Sequence, residues 1–331
     1  MKSNNPVPKQ ITFGKIEQFK QLAVLPILHE DMVSSFSYLT LDEALSQSLI
    51  KITETSDSGN VPELLLENSA DKPILLIDGE ELVGAKQNRI LNLTILAPPK
   101  QKIVIPVSCV EAGRWVYDRN DFINSDRAHF AKGRAKKMAS VSESMHANGS
   151  KRSNQGEVWA DIDDKFTKMH TSSETSAMSE IFNHSKVNLD EYVKAFGYEE
   201  KQVGAFFYIN GRLIGFDLFD QAYTYSRLCK KLFRSYAIDA LEQTDAEDSQ
   251  PDITQSLRMI ESLQHSEWNT YPASGMGTDF RINSTNIISA GLTLNDTTIH
   301  LSGFVLQSDE TKNSQYSKMA SSMMRRRNFN L

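Results

Sequence analysis

Cysteine is scarce: the 331 residues include only Cys109 and Cys229, far apart and outside any CxxC spacing. That excludes a cysteine-built zinc site and a disulfide framework, and it fits a reducing compartment. Long apolar runs are missing too. No stretch approaches the roughly 20 residues that span a bilayer, and the opening MKSNNPVPKQ lacks the apolar heart of a secretory signal. A cytoplasmic location without a membrane partner is expected. Nor is there an excess of positive charge: 36 Lys and Arg stand against 42 Asp and Glu, a formal net charge of -6. An acidic surface repels polyanions on average, so nucleic acid is not an expected partner. The 7 histidines show no HExxH or related spacing, so no metal site is expected. The Gly-x-Gly of GMGTDFR lacks a third glycine and runs into a strand pattern, so the dinucleotide-binding mechanism does not apply and no cofactor is named.

What is present is a substantial apolar fraction, 40 %, enough for a large core. Residues 1–15 are polar with two prolines and read as a flexible arm, and 307–331 read as a disordered tail. A single α+β domain is expected over 16–306. In LAVLPIL, Pro26 demotes the strand to an edge or a bulge. Thr40 and Glu43 resemble a capping box opening a short helix. IKITET alternates as a half-buried strand does. PELLLEN, KPILLIDG, NRILNLTILAP and KIVIPVSCVEAG follow as strands with short connections, which favours an antiparallel meander or a small barrel over βαβ units.

Residues 118–156 are polar and basic, and read as a long loop with one short helix near 130–141. Val158, Ile162 and Phe166 recur every four residues on a helix, and Asn188 is the expected cap of another. Asn210-Gly211 between two apolar arms predicts a two-residue hairpin. An amphipathic helix carrying Tyr225, Leu228, Leu232, Tyr236 and Ile238 comes next, then a shorter helix at SLRMIESLQ and a closing set of strands. Strands, helices, hairpin, helix, strands: this order describes an α+β fold with an antiparallel strand-rich core, meander or partial barrel, covered by several helices.

DGEELVGAKQNRI, residues 78–90, raises the functional question, since it crowds acids, bases and amides between apolar walls. Asp78 and Glu80 can attract a cation or serve as base, although Glu80 and Glu81 point to opposite faces of an extended chain. The alternative is a solvated turn. Gln87 and Arg89 share one face while Lys86 and Asn88 share the other, and arginine with an amide suits phosphate, carboxylate or ribose. The competing reading is a charged strand edge. Cys109 reads as buried and structural, because Glu111 on the same face would raise its pKa. Arg114 and Trp115 suit a planar group, by hydrogen bond and stacking. The cations of the 118–156 segment, Arg127, Lys132, Arg134, Lys136, Lys137, Lys151 and Arg152, form either a polyanion-binding loop or a solvated face. His300 lies on an alternating strand and is expected to be packed or paired.

At PILLIDGEELVGAKQNRILNLTILAPPKQKIVIPVSCVEAGRW, and again at SNQGEVW, GMGTDFR and IHLSGF, the sequence resembles a bacterial domain family named for its association with ADP-ribosylglycohydrolases and rhodanese-phosphatases. The resemblance runs over roughly residues 15–306 and implies a role near NAD-derived or ADP-ribosyl metabolism. It adds Gln155 and Trp159 to the candidates Asp78, Lys86, Gln87, Asn88, Arg89, Arg114 and Trp115 for ligand binding. The leading expectation is a binding or accessory protein for a phosphorylated, nucleotide-like small molecule. Arg89 and Arg114 would hold phosphate, Trp115 or Trp159 would stack on a base, and Glu80 or Glu111 would take ribose hydroxyls. A hydrolase or transferase with Glu80 or Glu111 as general base is the second reading. A protein-interaction domain using the basic loop and the 220–242 helix is the third, with no particular protein partner indicated.

Overall fold

Gln202–Ile209 and Arg212–Phe219 form the hairpin that Asn210-Gly211 predicts, with both turn residues at positive φ, 48° and 71°. The twist of such a turn matches that of its strands. This hairpin is the middle of a nine-stranded antiparallel sheet. On one side Gln202–Ile209 pairs with Leu22–Leu28, which is flanked by the short strands Thr12–Phe13 and Glu17–Phe19. On the other, Arg212–Phe219 is followed by Thr297–Val305, Ile287–Leu294, Thr278–Asn283 and Asn269–Pro272. Pro26 is tolerated because neither short outer strand pairs with it, so its missing N–H breaks no ladder there. The computed structural model describes residues 5–29, 36–56, 59–243 and 249–306, so the expected tail at 307–331 lies outside the described residues.

The strand-rich region yields the partial barrel and not a consecutive meander. Six strands lie in the order Phe122–Ala128, Glu80–Gly84, Arg89–Leu91, Lys102–Cys109, Glu63–Asn68, Ile50–Glu54, and the two outer ones curl toward each other. NRILNLTILAP divides: Arg89–Leu91 stays in this sheet, while Ile95–Ala97 joins Ile74–Leu76 and Leu39–Thr40 in a small third sheet, whose last pairing is parallel. Ile52, Leu64, Leu66, Leu82, Leu91, Ile105, Val107 and Phe122 fill the curled sheet.

Thr40 and Glu43 form the capping box, opening the helix Leu41–Ser46. The helix Gln155–Lys168 buries Val158, Ile162 and Phe166, and Ala222–Leu241 buries the expected stripe from Tyr225 to Ile238. Phe207 of the hairpin stacks on Tyr236 of that helix at 3.8 Å, joining sheet and helix in one apolar core. A second face of the large sheet is closed by Thr254–His265, with Met259, Ile260 and Leu263.

Three expectations need correction. Asn188 is no cap, because its helix already begins at Lys186. Residues 5–15 are not loose: Val7 is buried, and Asn5 Nδ2 donates to the Leu263 and Gln264 carbonyls at 3.1 and 2.7 Å. The long loop at 118–156 instead holds the strand Phe122–Ala128 and the 18-residue helix Ala131–Asn148. Local composition reads Arg134 and Lys137 as part of a polyanion-binding loop or a solvated face, yet both are buried, because acids distant in sequence neutralise them.

Candidate functional site

The two ends of DGEELVGAKQNRI meet different partners. At the first end Gly79, at φ 83°, bends the chain so tightly against Arg134 that a Cβ would lie 2.9 Å from its Cγ. Asp78 accepts from Arg134 Nε at 3.3 Å and from Lys137 Nζ, and Lys137 also reaches the Leu91 carbonyl at 2.6 Å. Arg134 forks onto Asp217 at 3.0 and 2.6 Å, and Tyr236 Oη donates to the same carboxylate at 3.1 Å. His300 Nε2 lies 3.2 Å from Asp217, and its Nδ1 lies 2.7 Å from Thr94 Oγ1. His300 is thus paired, as its strand position suggests.

Burial pushes the Lys137 ammonium down to about 8 against the pull of Asp78. Burial also works to raise Asp217, but Arg134 and His300 outweigh it and hold the carboxyl below its ordinary range. The cavity beside this cluster, bounded by Asp78, Asn92, Thr94, Asp279 and Arg281, measures about 10 Å³. That is room for a single water at most, and Asp78 and Asp217 already hold charged partners among the described residues.

Glu80 and Glu81 point to opposite faces, as an extended chain requires. Glu80 bonds Lys231 Nζ and the Ile77 N–H, both at 2.7 Å. Glu81 bonds Arg127 Nε at 2.6 Å. Burial raises both carboxyls, with Lys231 and Arg127 opposing.

The second end meets the close of the last strand. Arg89 and Cys109 are register partners, so their side chains share a face, the one that carries Leu91 and Val107 into the curled sheet. Arg89 Nη1 donates to Gln87 Oε1 at 3.0 Å, and the Cys109 thiol donates to the same oxygen at 3.1 Å. Gln87 Nε2 in turn reaches the Glu111 carbonyl at 2.9 Å. Gln155 clamps the Cys109 backbone from both sides, accepting from its N–H at 2.7 Å and donating to its carbonyl at 2.8 Å. Trp159, on the same helix as Gln155, turns its indole toward the thiol, but Nε1 makes no well-formed hydrogen bond. Burial raises the thiol, with Arg89 opposing, so Cys109 is the buried structural thiol expected.

Glu111 is saturated. It accepts from Arg114 Nη2 at 2.7 Å, the Asn88 N–H at 3.1 Å and Thr175 Oγ1 at 3.0 Å. Burial would raise it, but these donors hold it below the ordinary carboxylate range. Arg114 spends its terminal nitrogens on Glu111, Asn88 Oδ1 and the Ala85 and Val116 carbonyls. Trp115 is 43 % exposed and lies over the Arg89 guanidinium at 5.7 Å and the Lys86 ammonium at 5.3 Å. Tyr117 takes the other side of Lys86 at 5.0 Å.

The structure therefore brings together Lys86, Gln87, Asn88, Arg89, Glu111, Arg114, Trp115, Gln155 and Trp159, and directs Asp78 and Glu80 to separate buried partners. It adds Glu54, absent from the sequence candidates. Glu54 ends the alternating strand Ile50–Glu54 at the same parity as buried Ile50 and Ile52. A carboxylate on the apolar side of a half-buried strand was the available signal. Glu54 faces Arg89 at 3.7 Å, too far for a hydrogen bond. Among the described residues, neither oxygen of Glu54, nor Nε or Nη2 of Arg89, has a hydrogen-bond partner. Among the described residues no group of three or more His, Cys, Asp or Glu is placed to hold a metal ion, and no helix is long and apolar enough to cross a membrane.

Comparison with curated proteins and with solved structures finds no match. The profile of the ARG and Rhodanese-Phosphatase-superfamily-associated Protein domain matches residues 10–304, which takes in the curled sheet, the large sheet and the whole of the cluster around Arg89. The chain belongs to this ARPP-1 family, whose name associates it with ADP-ribosylglycohydrolases and the rhodanese-phosphatase superfamily.

Proposed function

We propose that this protein is a binding or accessory protein that recognises a phosphorylated, nucleotide-like small molecule, at the cluster formed by Glu54, Lys86, Arg89 and Trp115. The observation that carries the reading is the open hydrogen-bonding capacity of two opposed, buried, charged side chains, Arg89 and Glu54, beneath a partly exposed tryptophan. Buried polar groups normally have partners, and a ligand is one source of them. Trp115 offers a ring face to a base, and the Lys86 ammonium, between Trp115 and Tyr117, supplies the positive charge for a phosphate. The link to NAD-derived or ADP-ribosyl compounds rests on the family name. Two buried free thiols fit a cytoplasmic setting.

Acid-base catalysis finds less support. A general base must be able to take a proton near neutral pH, whereas Glu111 is held ionised by three donors and Glu80 is enclosed with Lys231.

Thermal unfolding followed with ADP-ribose and with NAD tests the reading. A midpoint that rises with ligand concentration, as linkage requires of anything that binds the native state alone, is the expected result. Folded protein whose midpoint stays fixed at millimolar concentrations of both ligands overturns it.

A further inference from the structure

We infer that the Glu54–Arg89 pair receives a vicinal diol of a sugar, and that the ligand's phosphate lies outside this pair. The inference rests on the function proposed above and sharpens it.

Arg89 is wholly enclosed and Glu54's side chain is only 3 % exposed. Nε and Nη2 form one edge of the guanidinium fork, the edge that ordinarily grips a carboxylate or phosphate in two parallel bonds. Among the described residues that edge meets nothing within hydrogen-bonding distance, and the carboxylate beside it accepts from none of them. Leaving such groups unmet is costly in the interior, and more so where the group is charged. The complement to this pair must therefore accept from Arg89 and donate to Glu54 at once.

A phosphate fails the second requirement. The phosphate of a monoester, mostly a dianion above its second pKa of about 6, has no proton to donate, and it would set a further negative charge against the Glu54 carboxylate in a poorly solvated place. A hydroxyl accepts and donates from one oxygen. Two adjacent hydroxyls supply two acceptors for Nε and Nη2 and two donors for the oxygens of Glu54, and bring no charge. A planar amide or base edge carries its donor and acceptor on separate atoms of a rigid frame, a poorer fit to two enclosed ions 3.7 Å apart.

Gly59 borders the pair. A Cβ there would stand 3.2 Å from the Trp115 ring, 3.3 Å from Lys86 and 3.4 Å from Glu54, and its φ of +76° disfavours any side chain. Lys86 lies beside the same glycine, with its ammonium 5.3 Å from the Trp115 ring.

Calorimetric titration with ribose 5-phosphate, 2-deoxyribose 5-phosphate and inorganic phosphate, with ADP-ribose in parallel, tests this. Wild-type protein should bind ribose 5-phosphate at least about tenfold more tightly than the deoxy sugar, the equivalent of one lost hydrogen bond to a charged group. It should bind inorganic phosphate more weakly than either sugar phosphate. Glu54→Gln should narrow the ribose preference and strengthen inorganic phosphate binding, because removing the carboxylate's charge frees the arginine fork for an anion. Should that variant fail to fold, the wild-type comparison of the two sugars still decides. Equal affinities for the two sugars, or inorganic phosphate bound as tightly as ribose 5-phosphate, overturn the diol assignment while the phosphorylated-ligand reading stands. Folded protein that binds neither sugar phosphate nor ADP-ribose at millimolar concentration overturns both.

Discussion

Asp217 accepts from Arg134 and Tyr236 and lies against His300 with no exposure to solvent, so its charge is balanced by neighbours and not by water. Asp217→Asn leaves the Arg134 guanidinium with a neutral partner in the interior. The expected loss is about 3–5 kcal/mol, the usual cost of breaking a buried pair from one side, read as a fall in denaturant midpoint at unchanged slope. A loss under about 1 kcal/mol would mean that the pair is solvated and the buried tie is misread. The effect has a pH signature. Asp217's folded pKa lies below its ordinary 3.8, so its stabilisation is present above about pH 4 and is lost as pH falls through the folded value. The gap between wild type and Asp217→Asn should be full near neutral pH and close on acidification. Glu80 and Glu81 act in the opposite direction, since burial raises them and folding then favours their protonated forms. At this scale the sequence shows the residue types of the cluster around Arg89, because they sit within three short segments, 86–89, 111–115 and 155–159. It hides Glu54 and Asp217, whose partners lie far off along the chain.

Local signals govern the elements that can be read in advance. The capping box at Thr40, the Asn210-Gly211 turn and the stripe from Tyr225 to Ile238 each need only a few neighbouring residues. The curled sheet is different, because its pairings join segments such as Glu63–Asn68 and Lys102–Cys109 across intervening strands. Asn92 shows how a single residue redirects the chain. Its N–H donates to the Pro106 carbonyl at 3.1 Å, its Nδ2 to the Lys151 carbonyl at 3.1 Å, and its Oδ1 accepts from Ser108 at 2.6 Å. NRILNLTILAP, which reads as one strand, is thereby divided between two sheets. Two glycines allow a comparison between elements. Gly149→Ala, just past the helix Ala131–Asn148, meets positive φ and no neighbour within 4 Å. Gly79→Ala meets positive φ and the enclosed Arg134 side chain. Left-handed backbone costs about 1–2 kcal/mol in either case, so the excess in Gly79→Ala measures the displacement of Arg134. Equal midpoints for the two variants under denaturant would show that the Asp78 bend is not coupled to the buried charges.

Across the whole molecule, the curled sheet and the large sheet meet at one shared core, beside the separate core that each also keeps. Leu75, Ile77, Ile90 and Val110 from the first region pack in the same core as Phe207, Ile299 and Phe304 from the second. Arg134 spans the same junction in charge, with Asp78 on one side and Asp217 on the other. Chains of this length often unfold in stages, since cores beyond about 250–300 residues tend to divide. A shared apolar core and a shared ion network argue for a single transition here. The tryptophans can report it. Trp115 and Trp159 lie at the curled sheet beside Arg89 and Cys109, and Trp268 is buried beneath the large sheet, donating to the Leu263 carbonyl at 3.0 Å. Trp268→Phe leaves fluorescence from the first region, and the double variant Trp115→Phe with Trp159→Phe leaves it from the second. Urea unfolding should give coincident curves for the two reporters once each variant's own stability change is subtracted, and Asp217→Asn should shift both by the same amount. If the reporters separate, or if Asp217→Asn moves only the Trp268 signal, the two sheets are independent units. The charges between them would then be a contact surface and not a common core.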